Sequence, residues 1–347
     1  MKKLDKRYFD DVRGVVYIPT KAHNAYQMWR DYSEEVTERD LGYAKSLNLN
    51  SLRIWISFEY WNENQEHFVV SFENFLDKAA EKGFRVMPSL FESCGREPIK
   101  ELMEDTDPIT STAVRSPGTE IQLDPDLWHK PKVYVDWFME HYRDDERLLA
   151  IEAINEPRVD MPGDFRFAVE ILDWISAKRG AVPISIGAAA LVHNIPFMSH
   201  GVDIIQTHSN FVIDVEKFKQ ELELLQIFQN QNGIPCWVSE WQRIRKSSLG
   251  WRKGDTVDVE ETMPDHSSLA GILRESGVGT FLWNLMLRPA YLSGQRSQGT
   301  FNGIFHEDGS VYSLEDARAV SGNPEFQTIE NNSVPEMYKP VRALRGR

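Results

Sequence analysis

Leu148-Leu149-Ala150-Ile151-Glu152-Ala153-Ile154-Asn155-Glu156-Pro157 is an apolar run of strand length that stops at Asn-Glu-Pro. Such a run reads as a strand buried on both faces in a parallel sheet. Proline closes it, because it has no N–H for the ladder and favours an extended residue before it. A carboxylate, Glu156, is thereby expected at the C-terminal tip of a buried strand, where parallel α/β barrels carry their chemistry. Pro235-Cys236-Trp237-Val238-Ser239-Glu240-Trp241 is a second apolar run that also ends in a glutamate, with room for two βα units between the two.

Working outward, Gly14–Ile18, Ser51–Ser57, Phe84–Phe91, Pro183–Ala189, Asp203–His208 and Gly279–Asn284 read as the remaining strands. Helical patterns lie between them: 35–47, 68–82 ending at Gly83, 131–143, 165–179 with Asp164 as N-cap, a short 194–200, 215–231 stopping at Asn232-Gly233, 260–276 broken near Pro264, and 313–320. His23, Asn24, Tyr26 and Trp29 fall in an expected polar, aromatic loop. Residues 92–129 show no period and recurring Gly and Pro. That length points to a functional loop forming one wall of a cleft. Eight strands alternating with helices predict a single (β/α)8 barrel with long βα loops, over residues 13–321, flanked by an N-terminal segment 1–12 and a polar tail 322–347.

The 347 residues suit one such barrel, and 41% hydrophobic content can build its core. Ten Trp and eleven Tyr exceed what a core requires, so some are expected at a surface or cleft. A net charge of −14 argues against nucleic acid as a partner. Two cysteines, Cys94 and Cys236, make no disulfide framework. The charged start, Met1 to Arg7, has no apolar stretch after it, and no run is long enough to span a membrane. The expectation is a cytoplasmic enzyme, or a secreted one if the chain has been trimmed. No metal-binding, P-loop, dinucleotide-binding or Gly-x-Ser-x-Gly motif is present, so no cofactor or metal is expected.

Asn155-Glu156-Pro157 followed by a strand ending Ser239-Glu240-Trp241 resembles the retaining glycoside hydrolases of clan A, most of all family 5, the cellulase and mannanase family. The resemblance spans roughly residues 13–320 and implies a hydrolase of β-linked oligo- or polysaccharide. It implies Glu156 as general acid/base and Glu240 as nucleophile. Retention requires the two carboxyl groups about 5–5.5 Å apart, one protonating the leaving oxygen and one attacking the anomeric carbon. Arg53 matches the family's strand-two arginine beside the nucleophile; an ion pair with Glu152 inside the barrel is the alternative, and strand parity leaves both open. Asn155 is placed to donate to the sugar 2-hydroxyl, or else to cap the strand end. The resemblance also implies that His208 orients the nucleophile. Trp283 is expected as the aromatic floor of the reacting sugar.

The sequence departs from the family in two places. Leu90-Phe91-Glu92-Ser93 stands where the family has a strand-three histidine, and Asn210 where it has a tyrosine. This marks a distant subfamily or sister family, with Glu92 taking part of the strand-three role. Trp241 is a further candidate for substrate contact; Trp55, Tyr60, Trp61, Trp128 and Trp251 read as packing. A transglycosylase on the same site and a non-catalytic carbohydrate-binding barrel are the alternatives. Arg158, Arg166, Arg243, Arg245, Lys246, Arg252, Lys253, Arg288 and Arg296 follow strands four, seven and eight. They would form a positive rim suited to an acidic glycan, unless they pair with Asp160, Asp164, Asp255 and Asp258.

Overall fold

The computed structural model describes residues 4–9, 11–210, 212–244, 263–291 and 293–344. Eight strands run in parallel: β1 (Arg13–Val16), β2 (Ser51–Trp55), β3 (Arg85–Ser89), β4 (Ile151–Asn155), β5 (Ile184–Gly187), β6 (Ile205–Asn210), β7 (Cys236–Gln242) and β8 (Gly279–Leu282). Their order is β5-β4-β3-β2-β1-β8-β7-β6, and a bridge between Ser185 and Ile204 brings the two ends together. This is the (β/α)8 barrel expected from the sequence. β4 and β7 lie across the ring from each other, three steps apart one way round and five the other.

The core forms two shells. The larger packs the outer faces of the strands against the helices and includes Trp29, Phe68, Phe72, Phe138, Ile171 and Leu225. The smaller contains Met87, Leu149, Ala150, Ile204, Trp237 and Phe281, and is joined by Tyr8 and Val12 from the N-terminal segment. Trp237 Nε1 donates to the Tyr8 carbonyl at 2.7 Å, which ties the N-terminal 3-10 turn to the barrel. Two glycines make room for the large rings. A Cβ on Gly14 would lie 2.2 Å from the Phe281 ring, and one on Gly279 would lie 2.4 Å from the Trp237 ring.

Several local expectations are corrected. The stretch around Tyr26 and Trp29 is not a loop but a short helix, Ala25–Arg30, capped by the Asn24 side chain on Gln27 N. Trp29 is buried against Phe68, Phe72 and Phe75, and Tyr26 against Tyr60, and that burial outweighs the local polar signal. Asp164 does not cap the helix after β4. That helix, Pro162–Ala177, begins after Met161, and Asp164 sits in its first turn, paired with Arg158 at 2.5 Å. Pro264 lies in a bridge with Ile244, and the helix before β8 spans Ser267–Glu275; residues 260–262 are outside the described ones. Glu156, expected to be extended, has φ +44°.

Residues 92–129 hold short helical pieces, Lys100–Met103, Thr119–Leu123 and the 3-10 turn Pro125–Leu127, and fold back on themselves through bridges Glu92–Ser116 and Arg96–Val114. Beyond the helix Leu314–Ser321, expected as the last, the tail returns to the barrel and ends in one more short helix, Lys339–Arg342, burying Tyr338 and Val341 beside Met263, Leu287 and Phe301. Among the described residues, no helix is long and apolar enough to cross a membrane. Gly14→Ala is expected to lower stability by roughly 1–3 kcal/mol, because the added methyl collides with a ring inside a closed barrel. Urea unfolding checks this; an unchanged midpoint would mean that the Phe281 ring moves freely.

Candidate active site

The C-terminal ends of β2, β3, β4, β6, β7 and β8 converge on a small cavity of about 60 Å³. It is lined by Glu92, Cys94, Asn155, Glu156, Asn210, Glu240, Gln242, Trp283, Tyr291 and Gln295. Its geometry depends on irregular pairing. Register shifts occur between Glu152 and Asn155 on β4, between Thr207 and His208 on β6, and between Val238 and Trp241 on β7. Such irregularities re-aim side chains at barrel rims. The left-handed Glu156 is one consequence: its N–H is held by the Gly187 carbonyl at 2.7 Å while its carboxylate turns over the mouth.

Arg53 is fully buried and occupies the centre. Its Nε and Nη2 donate to the two oxygens of Glu152 at 2.9 and 2.7 Å. Nη2 also donates to Asn155 Oδ1 at 2.6 Å, and Nη1 to Glu240 Oε1 at 2.6 Å. The two alternatives read from the sequence therefore hold together, since one guanidinium has enough donors for both carboxylates. Asn210 Nδ2 donates to the other oxygen of Glu240 at 2.9 Å, and Gln242 Nε2 steadies Asn210 Oδ1 at 2.6 Å. Asn210 thus serves Glu240 from the position where the family resemblance implied a tyrosine.

Glu156 faces His208, with Oε1 and Nδ1 2.5 Å apart; the same nitrogen is 3.6 Å from Glu240 Oε2. Cys94 Sγ donates to Glu156 Oε2 at 2.8 Å. Burial works to raise the Glu156 pKa, but the His208 contact, the Cys94 thiol and Arg53 outweigh it and hold the carboxyl below its usual range. For His208 burial favours the neutral ring, but Glu240 and Glu156 outweigh it and raise the pKa. The two shifts are opposite in sign, as expected of an acid and a base in direct contact. Donor atoms of Glu156, His208 and Glu240 all lie within 4.8 Å of one another. These three are also the one set among the described residues with metal-ligand proximity, but Arg53 already supplies a cation to Glu240.

Asn155 is placed differently from the expectation. Its amide nitrogen donates to both oxygens of Glu92, at 2.9 and 3.1 Å, and so is engaged by protein. Glu92 is buried, which pushes its carboxyl up to about 8, with the charges of Glu156 and Glu240 adding to the effect. Trp283 lines the cavity, edge-on to Trp55 and Tyr291 at 5.6 Å each. Trp241 does not line it: beyond the β7 register shift its ring packs outside the barrel, edge-on to His266 at 5.7 Å. Trp61 and Trp128 pack against Tyr134 and Phe167, and Tyr60 against Tyr26. Cys94, Gln242, Tyr291 and Gln295 were not singled out from the sequence. Only Gln242 had a signal there, two residues beyond Glu240 on the same strand.

The basic residues form no rim among the described ones. Arg288 and Arg296 are buried and donate to backbone carbonyls, including Ala22 and Ala290. Arg158 is taken up by Asp164, and Arg243 lies 3.7 Å from Asp265; Arg166 is exposed. Arg245, Lys246, Trp251, Arg252, Lys253, Asp255 and Asp258 lie outside the described residues.

No family model and no curated protein matches the sequence. Solved structures do match in fold. The chain is similar to the exo-β-1,4-mannosidase Op5Man5 from Opitutaceae bacterium strain TAV5, with a TM-score of 0.63 and 18% identity over 93% of this chain. It spans 61% of that mannosidase's length. It is also similar to GH5_18 from Streptomyces cattleya in complex with GlcNAc, with a TM-score of 0.58 and 14% identity, covering 92% of this chain and 82% of the other. A third is the endo-β-1,4-mannanase from Thermotoga petrophila, with a TM-score of 0.55 and 13% identity, covering 88% and 76%.

The Glu92 carboxyl gives a pH signature. Its folded pKa, about 8, lies above its ordinary value of 4.5. Between those values the folded state binds the proton that the unfolded state has lost, so stability falls as pH rises through that window. Glu92→Gln is expected to flatten the fall between about pH 5 and 8, by up to about 1.4 kcal/mol per pH unit. Urea unfolding at three pH values tests this. Glu59, also raised by burial, to about 7, is present in both proteins and cancels. Parallel curves would show that Glu92 is ionised in the folded protein.

Proposed function

We propose that the chain is a retaining β-glycoside hydrolase acting on a β-1,4-linked manno- or gluco-oligosaccharide. The observation that carries the reading is the approach of Glu156 and Glu240 to within 4.8 Å across the barrel mouth. That matches the close pair of a double displacement and is too near for the water-activating pair of an inverting enzyme. The fold neighbours support the sugar class: two are named for β-1,4-mannosyl linkages, and one is a GH5_18 variant in complex with Manβ1-4GlcNAc.

On this reading Glu240 is the nucleophile. Arg53 and Asn210 each donate to one of its oxygens, which holds its carboxylate in place and aimed at the anomeric carbon. As its oxygen bonds to that carbon, the bond to the leaving oxygen breaks. Glu156 delivers to that oxygen the proton it shares with His208. Water then attacks the anomeric carbon as its bond to Glu240 breaks, Glu156 takes one of the water's protons, and the sugar leaves with its original anomeric configuration. The Trp283 ring forms the floor under the sugar, with Tyr291 beside it. Asn155 acts mainly by bracing Arg53 and Glu92 rather than by meeting the substrate. Residues 13–321 make up the catalytic unit.

Glu240→Ala is expected to lower kcat/KM on aryl and alkyl β-mannosides or β-glucosides by about a thousandfold or more, and Glu156→Ala to do so on the alkyl ones, whose leaving group needs a proton, with the circular dichroism spectrum unchanged. With a dinitrophenyl leaving group, Glu156→Ala should complete its first step and stall, and azide should restore turnover and yield a β-glycosyl azide. Full activity in either variant would overturn the assignment.

A further inference from the structure

The thiol of Cys94 is unused in the reaction just described, yet it meets one of its central groups. The turn that carries it is fixed on every side. Glu92 and Ser116 form a bridge, as do Arg96 and Val114, and the Ser93 N–H donates to the Asn155 carbonyl at 3.1 Å. The Cys94 N–H donates to Glu92 Oε1 at 2.6 Å. Gly95 follows at φ +94°, where a Cβ would lie 2.6 Å from the Ala113 backbone. The result is a thiol 2.8 Å from Glu156 Oε2, facing the cavity.

Both oxygens of Glu156 are therefore engaged, but unequally. Oε1 meets an imidazole nitrogen at 2.5 Å, a short, charge-assisted contact. Oε2 meets only a thiol, a weak donor. A glycosidic oxygen entering the site has to take one of these oxygens, and the thiol is the partner that yields. We propose that Cys94 is a positioning residue for Glu156: it aims Oε2 into the cavity in the empty site and gives way to the substrate's leaving oxygen. This rests on the assignment of Glu156 as acid/base. The thiol stays protonated, because burial and the nearby Glu92 and Glu156 raise its pKa well above the usual value. The other titratable or charged groups around the pair are Arg53 on β2, Glu152 on β4, His208 on β6, Glu240 on β7 and Tyr291 beyond β8.

A donor to Glu156 stabilises its ionised form, so it sets the pH at which the proton shared with His208 is lost. The test measures kcat/KM against pH for wild type, Cys94→Ala and Cys94→Ser, with an alkyl and a dinitrophenyl β-glycoside. Cys94→Ala is expected to move the alkaline limb up by about half a pH unit, and Cys94→Ser, a stronger donor, to move it down. Both variants should lose about tenfold on the alkyl substrate and clearly less on the dinitrophenyl one, since only the former needs a proton. If Cys94→Ala does not fold, the direction of the Cys94→Ser limb decides the matter. Alkaline limbs and leaving-group dependence equal to wild type, while Glu156→Gln loses the alkyl activity, would overturn the role of Cys94 alone. An active Glu156→Gln would instead overturn the acid/base assignment.

Discussion

A guanidinium buried inside a barrel has to be surrounded by acceptors, and Arg53 organises the top of this molecule around that requirement. Burying a charge without partners costs far more than a domain can offset, so the partners must be present and well aimed. Arg53 draws them from β4 on one side, Glu152 and Asn155, and from β7 on the other, Glu240. The strand that supplies the proposed acid/base and the strand that supplies the proposed nucleophile are thereby held to one point. Gly187 keeps the space open: a Cβ there would lie 2.8 Å from Glu152 Oε1 and 3.1 Å from Arg53 Nη2.

The barrel was legible because its strands are written as apolar runs bounded by helix patterns, a signal set by burial on both faces. The two strand-end glutamates were legible for the same reason. What escaped was whatever depends on a departure from regular pairing. Strand alternation cannot put Trp241 outside the barrel and Glu240 inside it at the correct depth without the register shift between Val238 and Trp241, and nothing in the residues announces that shift. Nor does Asn-Glu-Pro announce a left-handed Glu156: the preference before proline is for extended backbone, and the hydrogen bond from its N–H to Gly187 overrides it. Cys94 and Tyr291 sit on aperiodic loops and Gln295 on a four-residue helix, Ser293–Arg296, where position is set by distant contacts.

Reading Arg53 by parity left two carboxylates open, and the structure pairs it with both. The choice between Glu152 and Glu240 assumed one carboxylate per cation, a rule suited to exposed pairs. At full burial the guanidinium has to satisfy several donors, and a single strand cannot supply enough acceptors. The buried basic residues beyond β8 show the opposite case. Arg288 and Arg296 look like surface charge in a list of loop residues, yet both are closed in by backbone carbonyls, so local basic composition says little about the field at the cavity.

The charge arrangement that results bears directly on the proposed chemistry. One guanidinium stands against two acidic side chains, Glu152 and Glu240, while Glu156 is matched by His208. Glu92 would contribute another negative charge, but burial keeps its carboxyl neutral up to about pH 8. On the proposed reading this leaves negative charge at Glu240, beside the sugar. An oxocarbenium-like transition state develops positive charge at that place, and fixed dipoles and charges in a water-poor site act on it strongly. Ionising Glu92 would not simply add to that attraction. It would also make the Glu156 proton harder to release to the leaving oxygen, because each nearby carboxylate holds the shared proton more tightly. Keeping Glu92 neutral leaves the attraction to Glu240 and the proton free to move.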